Sequence, residues 1–192
     1  MKRSTLITAT VAVHLIPVAA WAMVKPLRVI APQLVGLTCT SDRICIDDLS
    51  RIEDARKLLK GAESDVGADL GKLRKRPTAV FCATAECASS FGLGRSVAFS
   101  VGTIGILLSE KAWHPHFVRH ELIHQKQNEQ LGVINAWLFK PSWLIEGMAY
   151  SRSRDPRRPL PEPLESWRAK YEAWEKTIPP STTLWSAAEH AK

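Results

Sequence analysis

No segment of this 192-residue chain repeats, and no low-complexity tract interrupts it. Repeat architectures are therefore excluded. No run of Lys and Arg is interleaved with aromatics, as a nucleic-acid surface requires. The nearest approach, Arg152, Arg154, Arg157 and Arg158, is broken by Asp155 and Pro156, so no nucleic-acid partner is expected. Cys-x-x-Cys is also absent, which argues against a structural zinc cluster. Tyrosine is scarce: Tyr150 and Tyr171 are the only two. Disorder is excluded by an apolar fraction of 45% against 23% charged residues. The length suits one domain with a sizeable core. A formal charge of +7 is compatible with an anionic partner surface, but solubility and a basic flank are the favoured explanation.

Formal charge is missing altogether from Leu6 to Val24, where only His14 can be protonated, and Lys2 and Arg3 precede that run. A basic start followed by a long apolar stretch directs a chain into the secretory route. Ala20-Trp21-Ala22 has the small-x-small form of a cleavage site. The run is nevertheless about as long as a membrane span. Residues 1–24 are thus expected to be a signal anchor or a signal peptide. Residues 25–192 then form a domain outside the cytoplasm, in the cell envelope or secreted, with the membrane as partner through the N-terminal segment. The four cysteines, Cys39, Cys45, Cys82 and Cys87, fit disulfides in an oxidising compartment. Three connectivities are possible.

The spacing of apolar residues predicts an α+β domain. Residues 25–38, with Pro26 and Pro32, read as an extended connector. Leu49, Ile52, Ala55, Leu58 and Leu59 predict a helix over about 47–61, capped by Asp47 or Asp48. "PTAVFC" (77–82) reads as a strand, "AECASSFG" as a short helix ending at Gly92, and 96–109 as one or two strands turning at Gly102 and Thr103. A helix is expected from Pro115 to Leu131, closed by Gly132, and another from Ser142 to Arg152. After a proline-rich linker, residues 163–177 predict an amphipathic helix, and a short last helix follows Pro180. The C-terminal helical part covers about 160–192.

The first expected helix of that second half carries "HELIHQ" at 120–125. His120 and His124 are four apart, so both imidazoles lie on one face, one turn apart. Two ring nitrogens on such a face can converge on one Zn²⁺ at about 2 Å. Glu121 projects beside them, placed to hold a water and take its proton. A catalytic zinc needs a third protein ligand and an open fourth position. A third histidine further along the same helix is ruled out by Gln127 and Gln130, which occupy the Gly and His positions of the extended motif. His116, His120 and His124 together span about 12 Å of axis, too far for one ion on a straight helix. An acidic residue on the next helix remains, and "WLIEGMAY" offers Glu146, 22 residues after His124.

"RHELIHQ" followed by "PSWLIEGMAY" resembles the gluzincin group of zinc metallopeptidases, over residues 103–155. The chain as a whole is similar to small exported or membrane-anchored bacterial zincin-like proteins. The resemblance implies a minimal zincin-like domain: a small sheet packed on the His-Glu-x-x-His helix, then a helix bearing the third ligand. It implies Zn²⁺ held by His120, His124 and Glu146, with Glu121 as general base for hydrolysis of a peptide or protein substrate. "TIGILLS" is similar to the edge strand on which gluzincins lay an extended peptide. Gluzincins also carry a later Tyr or His that stabilises the oxyanion. Tyr171 is one candidate here, and His114 and His116 are others. Tyr150, one turn after Glu146, is placed for a hydrogen bond to a ligand histidine. The competing expectation is a catalytically silent, zincin-derived binding module of the envelope, which uses metal only for folding.

Overall fold

The computed structural model describes Trp21 and residues 23–94 and 96–192. The expected export segment, residues 1–24, lies outside the described residues except for Trp21, Met23 and Val24. Among the described residues, no helix is long and apolar enough to cross a membrane.

The fold is α+β, as the spacing predicts. Five short strands form one sheet: β1 (Thr38–Cys39), β2 (Ile44–Ile46), β3 (Thr78–Phe81), β4 (Ala98–Val101) and β5 (Gly105–Leu108). Among the described residues, seven α-helices accompany them: α1 (Ile52–Leu70), α2 (Ala85–Ser90), α3 (Pro115–Leu131), α4 (Val133–Leu138), α5 (Ser142–Arg152), α6 (Leu164–Glu175) and α7 (Leu184–His190). The strand order is β1-β2-β3-β5-β4, with β2, β3 and β5 parallel and the two outer strands antiparallel.

The central strands are apolar at every position but Thr78, because both faces of the sheet are covered. Ile44, Ile46, Ala79, Phe81, Ile106 and Leu108 face the helical layer and join Leu59, Val66, Leu122 and Leu144 in one core. The alternate residues Cys45, Val80 and Leu107 face the other way, against Val29, Leu37 and Phe91. This period of two fixes the register, since a one-residue slip would exchange the two cores. Gly105 is required at its place: a Cβ there would meet the Val29 side chain and lie 2.5 Å from the Thr78 carbonyl oxygen.

Several elements depart from the sequence expectation. The supposed extended connector is two 3₁₀ turns, Lys25–Ile30 and Pro32–Val35, each with a proline (Pro26, Pro32) in its first two positions, where its fixed φ suits the start of a helix. Helix α1 does not stop near Gly61 but continues to Leu70. Its buried stripe of Ala55, Leu59, Ala62, Val66 and Leu70 runs past Gly61 and Gly67. Packing of that stripe outweighs about 1 kcal/mol of lost helix propensity at each glycine. Strands β1 and β2 and helix α4 are too short to leave a periodic signal. "TIGILLS" is not an edge: β5 lies between β3 and β4, and β4 is the outer strand. Of the three cysteine connectivities, the local one is present. Cys39–Cys45 joins paired residues of β1 and β2, and Cys82–Cys87 ties the end of β3 to α2. Two disulfides are compatible with an oxidising, extracytoplasmic location.

Candidate metal centre

Helix α3 begins at Pro115 and ends before Gly132, whose φ of 82° only glycine adopts without strain. It packs between α1, α5 and the β4–β5 hairpin. Two amides on α3 fasten the hairpin: Gln125 Nε2 donates to the Thr103 carbonyl at 3.0 Å, and Asn128 Nδ2 to that of Gly102 at 2.9 Å. Helix α5 lies against α6, an approach that Gly147 permits. A Cβ at Gly147 would run into the Trp167 carbonyl and lie 2.9 Å from the Tyr171 Cβ. The residue after Glu146 is thus a glycine for packing reasons, and that packing holds Glu146 against α3.

His120, His124 and Glu146 come together, with one ligand atom from each inside a 4.8 Å span. The two Nε2 atoms are 3.0 Å apart. Glu146 straddles them, Oε2 lying 3.5 Å from His120 Nε2 and Oε1 3.5 Å from His124 Nε2. Ligands bound at about 2.0–2.1 Å in a tetrahedron are separated by roughly 3.3 Å. Each imidazole nitrogen therefore lies near that distance from the other and from one carboxylate oxygen, and the three residues could hold a metal ion.

The His124 imidazole is held from behind. Gln127 Nε2 donates to the Ile145 carbonyl at 2.8 Å, so its Oε1 is left to accept from His124 Nδ1, also at 2.8 Å. That bond fixes the tautomer and leaves the Nε2 lone pair toward the site. Gln127 thus couples α3 to α5 through a ligand. Its signal in the sequence was only its position, one turn after His124. Tyr150 meets His120 edge to face, with ring centroids 4.5 Å apart, so its contact with the ligand is ring packing rather than the expected hydrogen bond.

His120, Glu121, His124 and Glu146 all line a cleft of about 780 Å³. Its floor is α3 from Phe117 to Asn128. One wall is the segment Ser96–Ser100, and the other includes Ile145, Glu146, Tyr150 and Arg157. The Ser109 N–H donates to the Val97 carbonyl at 2.9 Å. With the β4–β5 register, this turns the main-chain groups of Val97, Phe99 and Val101 toward β5. Those of Ala98 and Ser100 turn outward, to the cleft side. Arg157 comes from the proline-rich segment after α5. Asp155 pairs with it, and its guanidinium sits 4.8 Å from the Phe117 ring centre. Nothing local in the sequence marks Arg157. Its place depends on α6, where the buried Arg168 donates to the Arg157 carbonyl at 3.0 Å.

Other candidates lie elsewhere. Tyr171 is fully buried against α5 and is not part of the cleft lining; its hydroxyl donates to Glu175 and accepts from Arg152. As an oxyanion donor it is misplaced, because α6 presents it to the far side of α5. His114 and His116 stack on one another outside the cleft. Arg119 pairs with Asp65, and Arg152 with Asp69 and Glu175, away from the site.

The electrostatics of the cleft are those of closely packed, desolvated groups. Burial pushes Glu121 up to about 7; His120 opposes that shift and the Glu146 carboxylate adds to it. Burial acts the same way on Glu146 but is outweighed by the His120 hydrogen bond and by both imidazoles, which bring it down to about 2. Burial lowers His124. It also disfavours charge on His120, yet Glu146 and Glu121 together raise that residue. Tyr150 is pushed up to about 12 by burial and by Glu146, so its hydroxyl keeps its proton at neutral pH.

No family model, curated protein or solved structure matches the chain.

Proposed function

We propose that this protein is a zinc-dependent peptidase of gluzincin type, acting outside the cytoplasm on an extended peptide. One observation carries the proposal: two imidazole nitrogens and a carboxylate converge within 4.8 Å of one another in a cleft that also holds the carboxylate of Glu121. Two imidazoles and one carboxylate suit zinc and leave a position open.

Zinc held by His120, His124 and Glu146 would supply Lewis acidity to a carbonyl oxygen and acidify a water. The chain's own groups do the rest. A carboxylate beside that water can accept a proton from it and return the proton to a leaving amine. Glu121 therefore takes the proton as the water oxygen bonds to the scissile carbon, and delivers it to the amide nitrogen as the C–N bond breaks. The substrate backbone pairs with the outward main-chain groups of Ala98 and Ser100, adding a strand to β4. Tyr150, protonated and on the cleft wall, takes the oxyanion role in place of Tyr171, with the Arg157 guanidinium nearby.

The deciding experiment uses the purified full chain, assayed for metal content and for cleavage of a peptide library. Wild type should bind one zinc and cleave. His120→Ala should lose the metal. Glu121→Gln should keep it and lose turnover. Absence of stoichiometric zinc in wild type refutes the site. Zinc without cleavage, unchanged by Glu121→Gln, assigns the metal to folding alone.

A further inference from the structure

The stretch Val133–Phe139, VINAWLF, contains no charged residue, yet nearly all of it faces solvent. Ala136 is the only buried side chain of α4. Trp137 is 81% exposed, Phe139 72% and Ile134 68%. A surface helix of a water-soluble protein carries charge on its outer face, and a contiguous apolar patch marks a contact surface. The patch continues onto the β4–β5 hairpin. Val133 packs over the turn at Gly102, its methyls 3.5 Å from where a Cβ would stand. Ile104 and Phe99 are exposed on the same hairpin.

A second segment reaches this hairpin from a distant part of the chain. Val29 fills the space above Gly105, three residues from Gly102. Next to it, Ile30 and Leu34 are exposed, as are Met23 and Val24. That segment continues toward the N-terminus into Leu6–Val24, which has no formal charge. The 3₁₀ segment Lys25–Ile30 and helix α4 thus both pack on the β4–β5 hairpin. Tryptophan and phenylalanine beside aliphatic residues, followed by Lys140, form the composition that settles at the boundary of headgroups and acyl chains. The net charge of +7 favours an anionic leaflet.

We propose that α4 and the tip of the β4–β5 hairpin dock on the lipid bilayer surface, with Ile134, Trp137 and Phe139 inserted at the interface. Trp137 and Phe99 also line the metal-site cleft. Docking therefore opens the cleft along the membrane surface. If the peptidase proposal holds, its substrates are extended segments lying next to the bilayer; the docking itself does not depend on catalysis.

The test is power-saturation electron paramagnetic resonance on full-length protein, in vesicles of phosphatidylcholine and phosphatidylglycerol. A spin label is placed at Ile134→Cys or Trp137→Cys, with Lys57→Cys, exposed on α1, as control. All three sites are on the surface, and the native cysteines are held in disulfides, so the folded protein takes a single label. The labels on α4 should relax with oxygen more than with a water-soluble nickel chelate, and the Lys57 label with the chelate. Equal chelate access at all three sites overturns the proposal. So does spin–spin broadening at Ile134, which would make a second copy the occupant, and so does shielding that develops only on adding peptide. None of these readouts requires turnover or zinc.

Discussion

Gly147→Ala is a one-carbon change whose consequence follows from the contact between α5 and α6. A Cβ at position 147 would lie 2.8 Å from the Trp167 carbonyl carbon and 2.9 Å from the Tyr171 Cβ. Carbon atoms pack best at about 3.5–4.0 Å, so the helices must separate by roughly 1 Å. Both obstructing groups are rigid, a carbonyl in the first turns of α6 and the root of a buried ring, and neither can rotate away. Overpacking of this kind costs about 1–3 kcal/mol or somewhat more. Alanine returns about 1 kcal/mol of helix propensity. The net loss is about 1–2 kcal/mol, which for a chain of this size lowers Tm by about 2–8 °C. The more specific effect is expected on the proposed zinc site. Glu146 precedes the glycine, and metal–ligand distances tolerate only about 0.2 Å of displacement, so zinc affinity should fall by tenfold or more. Thermal unfolding of the metal-free protein and a competitive zinc titration measure the two effects separately. An unchanged Tm with unchanged zinc affinity would refute the claim that the α5–α6 contact positions the third ligand.

Gln127→Leu removes the group that holds the His124 tautomer, and should weaken zinc about 10–100-fold in the same titration; wild-type affinity would show that the hydrogen bond is incidental. Tyr150→Phe should lower kcat about 10²–10³-fold with KM little changed, if Tyr150 stabilises the oxyanion, while Tyr171→Phe should act on stability instead. Zinc at 100 times its Kd should stabilise the wild type by about 2.7 kcal/mol and leave His120→Ala unaffected, as read by urea unfolding. In the metal-free protein, Glu121 has its folded pKa raised from 4.5 to about 7. The folded state then binds the extra proton between those values, so stability is lost as pH rises through that window. The fall should be on the order of 1–3 kcal/mol. Glu121→Gln should flatten that slope in urea unfolding at pH 5 and 7.5, and an identical slope in the variant would remove Glu121 as its source.

Helices α3 and α5 were legible in the sequence almost to their ends, because their signals are local. Pro115 and Gly132 bound the first, and the second starts just after Pro141. His120, Glu121 and His124 were legible for the same reason, since helical spacing alone places them on adjoining faces. The end of α1 was not, because its glycines weigh against a helix locally while its buried stripe contributes only once α3 lies against it. The edge strand was misread for a related cause. β4 and β5 are similar four-residue runs, and only the pairing of β5 with β3 makes one interior and the other the wall of the cleft.

By itself, then, the sequence determined the donor types, the helical face that carries two of them, the α+β order of elements and the cysteines available for pairing. These depend on neighbours within a turn or two. Tertiary structure decided that Glu146 reaches the same point in space, through the close approach at Gly147. It decided that Gln127 turns His124, that Tyr150 rather than Tyr171 faces the cleft, and that α4 is left uncovered. Each of those depends on which distant residues come within a few ångströms, and the pattern along the chain does not encode that until the helices pack.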